Sequence, residues 1–178
     1  IKKQEELNRL LINVERTISS LEGGVKMSAE EKFEGFKKKM IQENEEKYGS
    51  EIRKKYGDSK VDESYKMFGN ITKEQFDEVQ NLSSSINEKL TEAMKESNPR
   101  SEKAREVVEL HKKWLSYFGK YPVYVHLGLG QMYVDDERFT EYYENASGKG
   151  AAEFLRDAIA AYYNARFNEE TWQWIIEE

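Results

Sequence analysis

Apolar residues recur along this chain at helical spacing, and no stretch alternates apolar with polar for more than a few positions. Turn-forming residues at Gly23-Gly24, Gly49, Gly57-Asp58, Gly69-Asn70, Asn98-Pro99, Gly119 to Pro122 and Gly148 to Gly150 divide it into about seven helical pieces. The fold class expected is all-α. Leu7, Leu11, Val14, Ile18 and Leu21 are separated by 4, 3, 4 and 3 residues, the period of a coiled-coil seam. So narrow a stripe cannot bury itself. It is expected to pair with a second copy or with the domain behind it, the plainer alternative being an ordinary amphipathic helix on its own domain. Residues 1–24 therefore read as a coiled-coil-like helix that needs a partner. The chain opens inside the seam, as a fragment of something longer would.

Ser28-Ala-Glu-Glu31 has capping-box spacing and starts a helix carrying Phe33, Phe36 and Met40. Across residues 28–70 only 12 of 43 positions are apolar, too few to offset ordering entropy comfortably, so a mobile segment is expected there. Thr72-Lys-Glu-Gln75 opens the next helix, with Phe76, Val79, Leu82, Ile86 and Leu90 on one face. Ser101 caps another, with Ala104, Val107, Val108, His111, Trp114, Leu115 and Phe118 in its stripe. After Pro122 the run VYVHLGLGQMYV is apolar on almost every face and reads as a buried central helix. A last helix runs from Gly150 to about Arg166. The stable core is placed at residues 71–166 of a 28–166 domain, and 167–178 form an amphipathic tail of a turn or two.

Composition narrows the function. The net charge is −6, and a nucleic-acid surface needs a basic face, so this chain is not expected to touch DNA itself. There is no cysteine, which removes disulfides, thiolate metal sites and thiol nucleophiles. The charged opening residues IKKQEELNRL resemble no targeting segment, no apolar run could span a membrane, and a cytoplasmic location is expected. Neither His111 nor His126 follows a glutamate at di-iron spacing, and no phosphate loop is present. Gly128-Leu-Gly130 lacks the rest of a dinucleotide fingerprint and reads instead as two points where a neighbouring helix comes close. No enzyme activity, metal or cofactor is expected.

His111 in an apolar stripe is either a hydrogen-bonded core histidine or a polar fixture inside a ligand cavity, and His126 is similar. Eleven tyrosines, with Trp114, Phe118, Tyr121 and Tyr124 close together, offer flat apolar faces with hydroxyl tips. That chemistry suits a bulky, partly polar heteroaromatic ligand. Core packing also explains aromatics at helical spacing. The candidate ligand set is Phe33, Phe36, Met40, His111, Trp114, Phe118, Tyr121, Tyr124, His126, Leu129 and Tyr133.

The segments EKFEGF (31–36), ITKEQFDEVQ (71–80), LHKKWLSYF (110–118), HLGLGQMYVDDERFTEYYE (126–144) and AAEFLRDAI (151–159) together resemble the TipAS antibiotic-recognition domain of TipA-type regulators. The resemblance covers roughly residues 29–163, and the block from Gly130 to Phe139 is its most specific part. It implies a globin-like helical fold without haem, with a cleft for thiopeptides or other large drugs. It further implies an N-terminal portion that orders around the ligand. In that family the domain follows a MerR-type winged helix and a dimerisation helix, which the seam ending at Leu21 resembles. A homodimeric transcription activator, touching DNA only through a winged helix outside this chain, is thus implied. Members that capture thiopeptides covalently carry a cysteine at about Tyr121, and an acidic residue where this chain has Tyr124-Val125. Without a thiol, binding here is expected to be reversible. The alternative is a stand-alone protein that sequesters the drug.

Overall fold

The computed structural model describes residues 27–177. The seam residues Leu7, Leu11, Val14, Ile18 and Leu21 lie outside them. Among the described residues there are seven helices and one two-stranded hairpin, so the all-α class holds. The chain divides into two compact units, residues up to 73 and residues from 74 onward.

The first unit contains α1 (Ala29–Tyr56) and α2 (Asp58–Asn70). Ser28 starts α1 with the capping box its spacing predicts: the Glu31 amide donates to Ser28 Oγ at 3.1 Å, and the Ser28 amide donates to Glu31 Oε2 at 2.8 Å. Gly49, expected to interrupt this helix, lies buried inside it beside the Glu45 side chain. The break comes at Gly57, whose φ of +86° needs a residue without a Cβ. Helix α2 then folds back along α1. Arg53 fastens the turn, reaching Glu45 at 2.9 Å and 3.1 Å, Asp58 at 3.3 Å and Asp62 at 2.8 Å. Further along, Tyr65 Oη donates to Asn44 Oδ1 at 2.9 Å. At the far end Lys37, only 3% exposed, donates from Nζ to the carbonyls of Gly69 and Ile71, each at 2.8 Å. A cation there satisfies carbonyls left open at the end of α2. Apolar burial among the described residues of this unit is slight, with only Val61 and Ile71 well covered.

The second unit holds nearly all of α3 (Lys73–Met94) together with α4 (Glu102–Leu115), α5 (Val123–Asp135), α6 (Glu137–Ser147) and α7 (Ala151–Tyr162). Ser101 caps α4 by accepting from the Ala104 amide at 3.2 Å. Ile86, Leu90, Val107, Val108, Leu127, Leu155 and Ile159 meet in one core. Helix α5 buries one face, His126, Leu127, Gly130 and Tyr133, rather than its whole circumference. Tyr124 and Val125 at its start are exposed, which corrects the reading of a helix buried all round. Only one of its two glycines is a close approach. A Cβ on Gly130 would lie 3.3 Å from Ile159 Cδ1 and 3.4 Å from Arg156 Cα, whereas Gly128 faces open space.

After α7 the chain forms a hairpin of β1 (Ala165–Asn168) and β2 (Gln173–Ile176), antiparallel, with Phe167 opposite Trp174. Asn168 Oδ1 accepts from the amides of Glu170 and Thr171 at 3.0 Å and 3.1 Å and so shapes the connection. The tail read as amphipathic turns is thus a β-hairpin, and Trp174 packs onto the core. No described helix is long and apolar enough to cross a membrane.

Candidate functional site

Helix α4 puts Val107, Val108, His111 and Leu115 on its buried face. Helix α5 buries His126 and, two turns later, Tyr133. The two histidines meet ring on ring, with centroids 5.0 Å apart and planes at 18°. His111 Nδ1 lies 2.8 Å from His126 Nε2, His111 Nε2 lies 3.2 Å from Tyr133 Oη, and His126 Nδ1 lies 3.0 Å from Tyr163 Oη. Every ring nitrogen therefore has a partner. A single row of hydrogen bonds runs from Tyr133 through both imidazoles to Tyr163. Its protons can all point one way or all the other, each imidazole donating once and accepting once.

Burial sets the charge of this row. It pushes His111 down to about 3, helped by the neighbouring His126, and pushes His126 down to about 4, helped by the Lys112 ammonium. Both rings are neutral near pH 7. Tyr143 packs against Tyr133 at 5.0 Å, and its own burial raises its hydroxyl well above the ordinary range. Such a row is saturated with hydrogen bonds and uncharged near pH 7.

An aromatic ledge continues outward from it. Trp114 lies 6.0 Å from His111 in a nearly parallel arrangement and 4.8 Å from Phe118. Both are half-buried, as is Tyr121, which leans over Gly119. Tyr124 is 61% exposed, and Leu129 packs half-buried against the core. At the ledge's side Tyr117 Oη donates to Glu78, which also pairs with Lys113. Of the residues singled out in the sequence, His111, His126 and Tyr133 thus form the row, with Trp114 stacked onto His111 and Phe118 tilted against Trp114. Phe33, Phe36 and Met40 belong to the first unit, where Phe33 and Phe36 stack at 6.2 Å and Phe36 and Met40 remain 44% and 37% exposed.

Sequence reasoning missed the partners from α7 and its end. Tyr163 closes the row. Tyr162 accepts from Lys112 Nζ at 2.9 Å and donates to Glu109. Their only signal was a tyrosine pair at a helix C-terminus. Among the described residues no group of three or more His, Asp or Glu side chains is arranged to hold a metal ion.

A family model for the TipAS antibiotic-recognition domain matches residues 48–162. The HTH-type transcriptional activator mta of Bacillus subtilis (strain 168) is 29% identical over 168 residues, covering 94% of this chain and 65% of its own. The HTH-type transcriptional activators TipA of Streptomyces coelicolor and of Streptomyces lividans are each 29% identical over 161 residues, covering 88% of this chain and 61% of theirs. The chain spans less than two thirds of the length of these relatives. No solved structure matches it.

Proposed function

The chain belongs to the TipAS antibiotic-recognition domain family, and from that premise we propose that it is the drug-sensing effector domain of a MerR-type transcriptional activator acting in the cytoplasm. The observation that carries the reading is Trp114, lying against His111 of a neutral, fully bonded histidine row and meeting Phe118 as well; Tyr121 and Tyr124 follow in the loop before α5 and in its first turn. A bulky heteroaromatic antibiotic lies on the ring faces, while His111, His126, Leu129 and Tyr133 form the unyielding backing beneath. Binding is reversible, because the chain has no thiol.

Occupancy becomes a signal through the first unit. Apolar burial between Ser28 and Asn70 is slight, and Lys37 and Arg53 add polar ties between the unit's two helices. Ligand binding recruits Phe33, Phe36 and Met40 and orders the segment, at a cost of about 2–5 kcal/mol of the gross interaction energy. The order passes to the N-terminal seam, which pairs two copies, and then to a winged helix outside this chain. That extent agrees with relatives whose names describe HTH-type activators and whose length exceeds this chain's.

Thermal-shift screening against bulky heteroaromatic antibiotics, thiopeptides included, tests the reading. At least one compound should raise the midpoint, and Trp114→Ala should cost about 2–4 kcal/mol of binding. Tyr124→Ala, at an exposed position, serves as the variant that keeps the fold. If both variants bind every active compound as the parent does, the ledge is not the site.

A further inference from the structure

Within the second unit, away from the ledge, the hairpin and α7 border a groove of about 810 Å³. That volume is within the range that admits drug-sized molecules. Its apolar floor is Ala160, Ala161 and Ala165, small enough for a flat ring to approach the backbone closely. Its wall is aromatic: Trp172 and Trp174 both meet Phe167, at 5.7 Å edge-on and at 5.1 Å tilted.

Two features of this wall are unusual. Trp172 is 70% exposed and sits at φ +53°, a left-handed conformation that bulky residues seldom adopt. Strain of that kind persists where surrounding structure imposes it, and it concentrates at ligand-gripping turns. In addition, the buried indole Nε1 of Trp174 and the buried Oε1 of Gln131 have no hydrogen-bond partner in the protein. Gln131 spends its amide nitrogen on Asp135 Oδ1 at 2.9 Å, which fixes the orientation of that oxygen. Buried polar atoms are otherwise nearly always paired. Here one unmet donor and one unmet acceptor belong to two residues that line the same groove, both atoms lying just behind its surface.

The charges on the rim cancel. Arg156 pairs with Asp157 at 2.8 Å and Arg166 with Glu177 at 2.9 Å, leaving Arg100 and Glu169 as opposite charges. Neither an anion nor a cation is favoured. We propose that this groove is a second ligand site, taking a flat, uncharged heteroaromatic ring with a lactam edge. The ring carbonyl accepts from Trp174 Nε1, and the ring N–H donates to Gln131 Oε1. Trp172 covers the exposed face. Both protein atoms are buried, so the hairpin side chains shift to admit the edge. The proposal does not depend on the ledge, with which the groove shares no residue.

Quinolin-2(1H)-one and its 1-methyl derivative, titrated into the full chain, test it. The lactam should move the Trp174 indole N–H resonance and bind at least about tenfold more tightly than the N-methyl compound, which cannot donate to Gln131. Gln131→Leu should abolish that preference. Trp172→Ala, at an exposed position, should weaken both compounds about tenfold while leaving the fold intact. An unmoved Trp174 resonance at millimolar lactam would overturn the proposal, and so would equal affinity for the two compounds. Perturbation confined to Trp114 would place the ligand on the ledge and likewise overturn it.

Discussion

His111 Nδ1 lies 2.8 Å from His126 Nε2, deep in the second unit, and neither ring carries a charge near neutral pH. The unfolded chain takes up protons at the ordinary histidine value of 6.5, the folded chain only near about 4 and about 3. Between those values the unfolded state holds more protons. Stability therefore stands at its plateau above about pH 6.5 and falls as acid is added, by about 1.4 kcal/mol per pH unit for each histidine. Urea titrations between pH 7 and pH 4.5 should show this slope. Imidazole NMR shifts that stay neutral at pH 5 would confirm its source. The slope begins above the range of Glu78, Glu92, Glu96 and Glu109, whose values are lowered by their hydrogen-bonding partners and which matter only in stronger acid.

Removing a terminus of the row strands a buried nitrogen. Tyr133→Phe deprives His111 Nε2 of its partner inside the core and should cost about 1–3 kcal/mol. Tyr163→Phe should cost less, because Tyr163 is half-buried and water can replace its hydroxyl at His126 Nδ1. Denaturant midpoints of the two variants give the comparison.

The two glycines of α5 should respond oppositely. Gly128→Ala meets open space and should gain up to about 1 kcal/mol from helix propensity. Gly130→Ala forces a methyl toward the backbone at Arg156, and overpacking of that kind costs about 1–3 kcal/mol. Paired melting curves settle it.

Much of this was legible in the sequence, and what was not has physical reasons. Ser28 and Ser101 announce helix starts because their hydroxyls replace missing backbone acceptors locally, within three residues. The stripe through Val107, Val108, His111 and Leu115 shows itself for the same reason, being periodic. The hairpin did not, since four-residue strands offer too few alternations to read. Gly49 looked like a break, but one glycine costs a helix interior only about 1 kcal/mol, and the Glu45 carboxylate lies 2.6 Å from where its Cβ would be. Tyr163 could not be anticipated as a partner of His126, 37 residues away, because only tertiary packing brings them together.

Lys37 holds the first unit from inside. Replacing it with methionine keeps the aliphatic stem but leaves the carbonyls of Gly69 and Ile71 without their donor. Charge-assisted bonds of this kind are worth about 1.5–3 kcal/mol. Lys37→Met should loosen α1 and α2, seen as faster amide exchange there, while the core around Leu90 and Ile159 is unchanged.

In the proposed mechanism a thinly packed leading unit becomes ordered when ligand covers Trp114 and Phe118. Amide exchange of residues 29–70 in the full chain, with and without the compound giving the largest thermal shift, tests this most directly. Rapid exchange in the free protein and strong protection in the complex is the predicted result. Equal protection in both states, with the compound demonstrably bound, would contradict it.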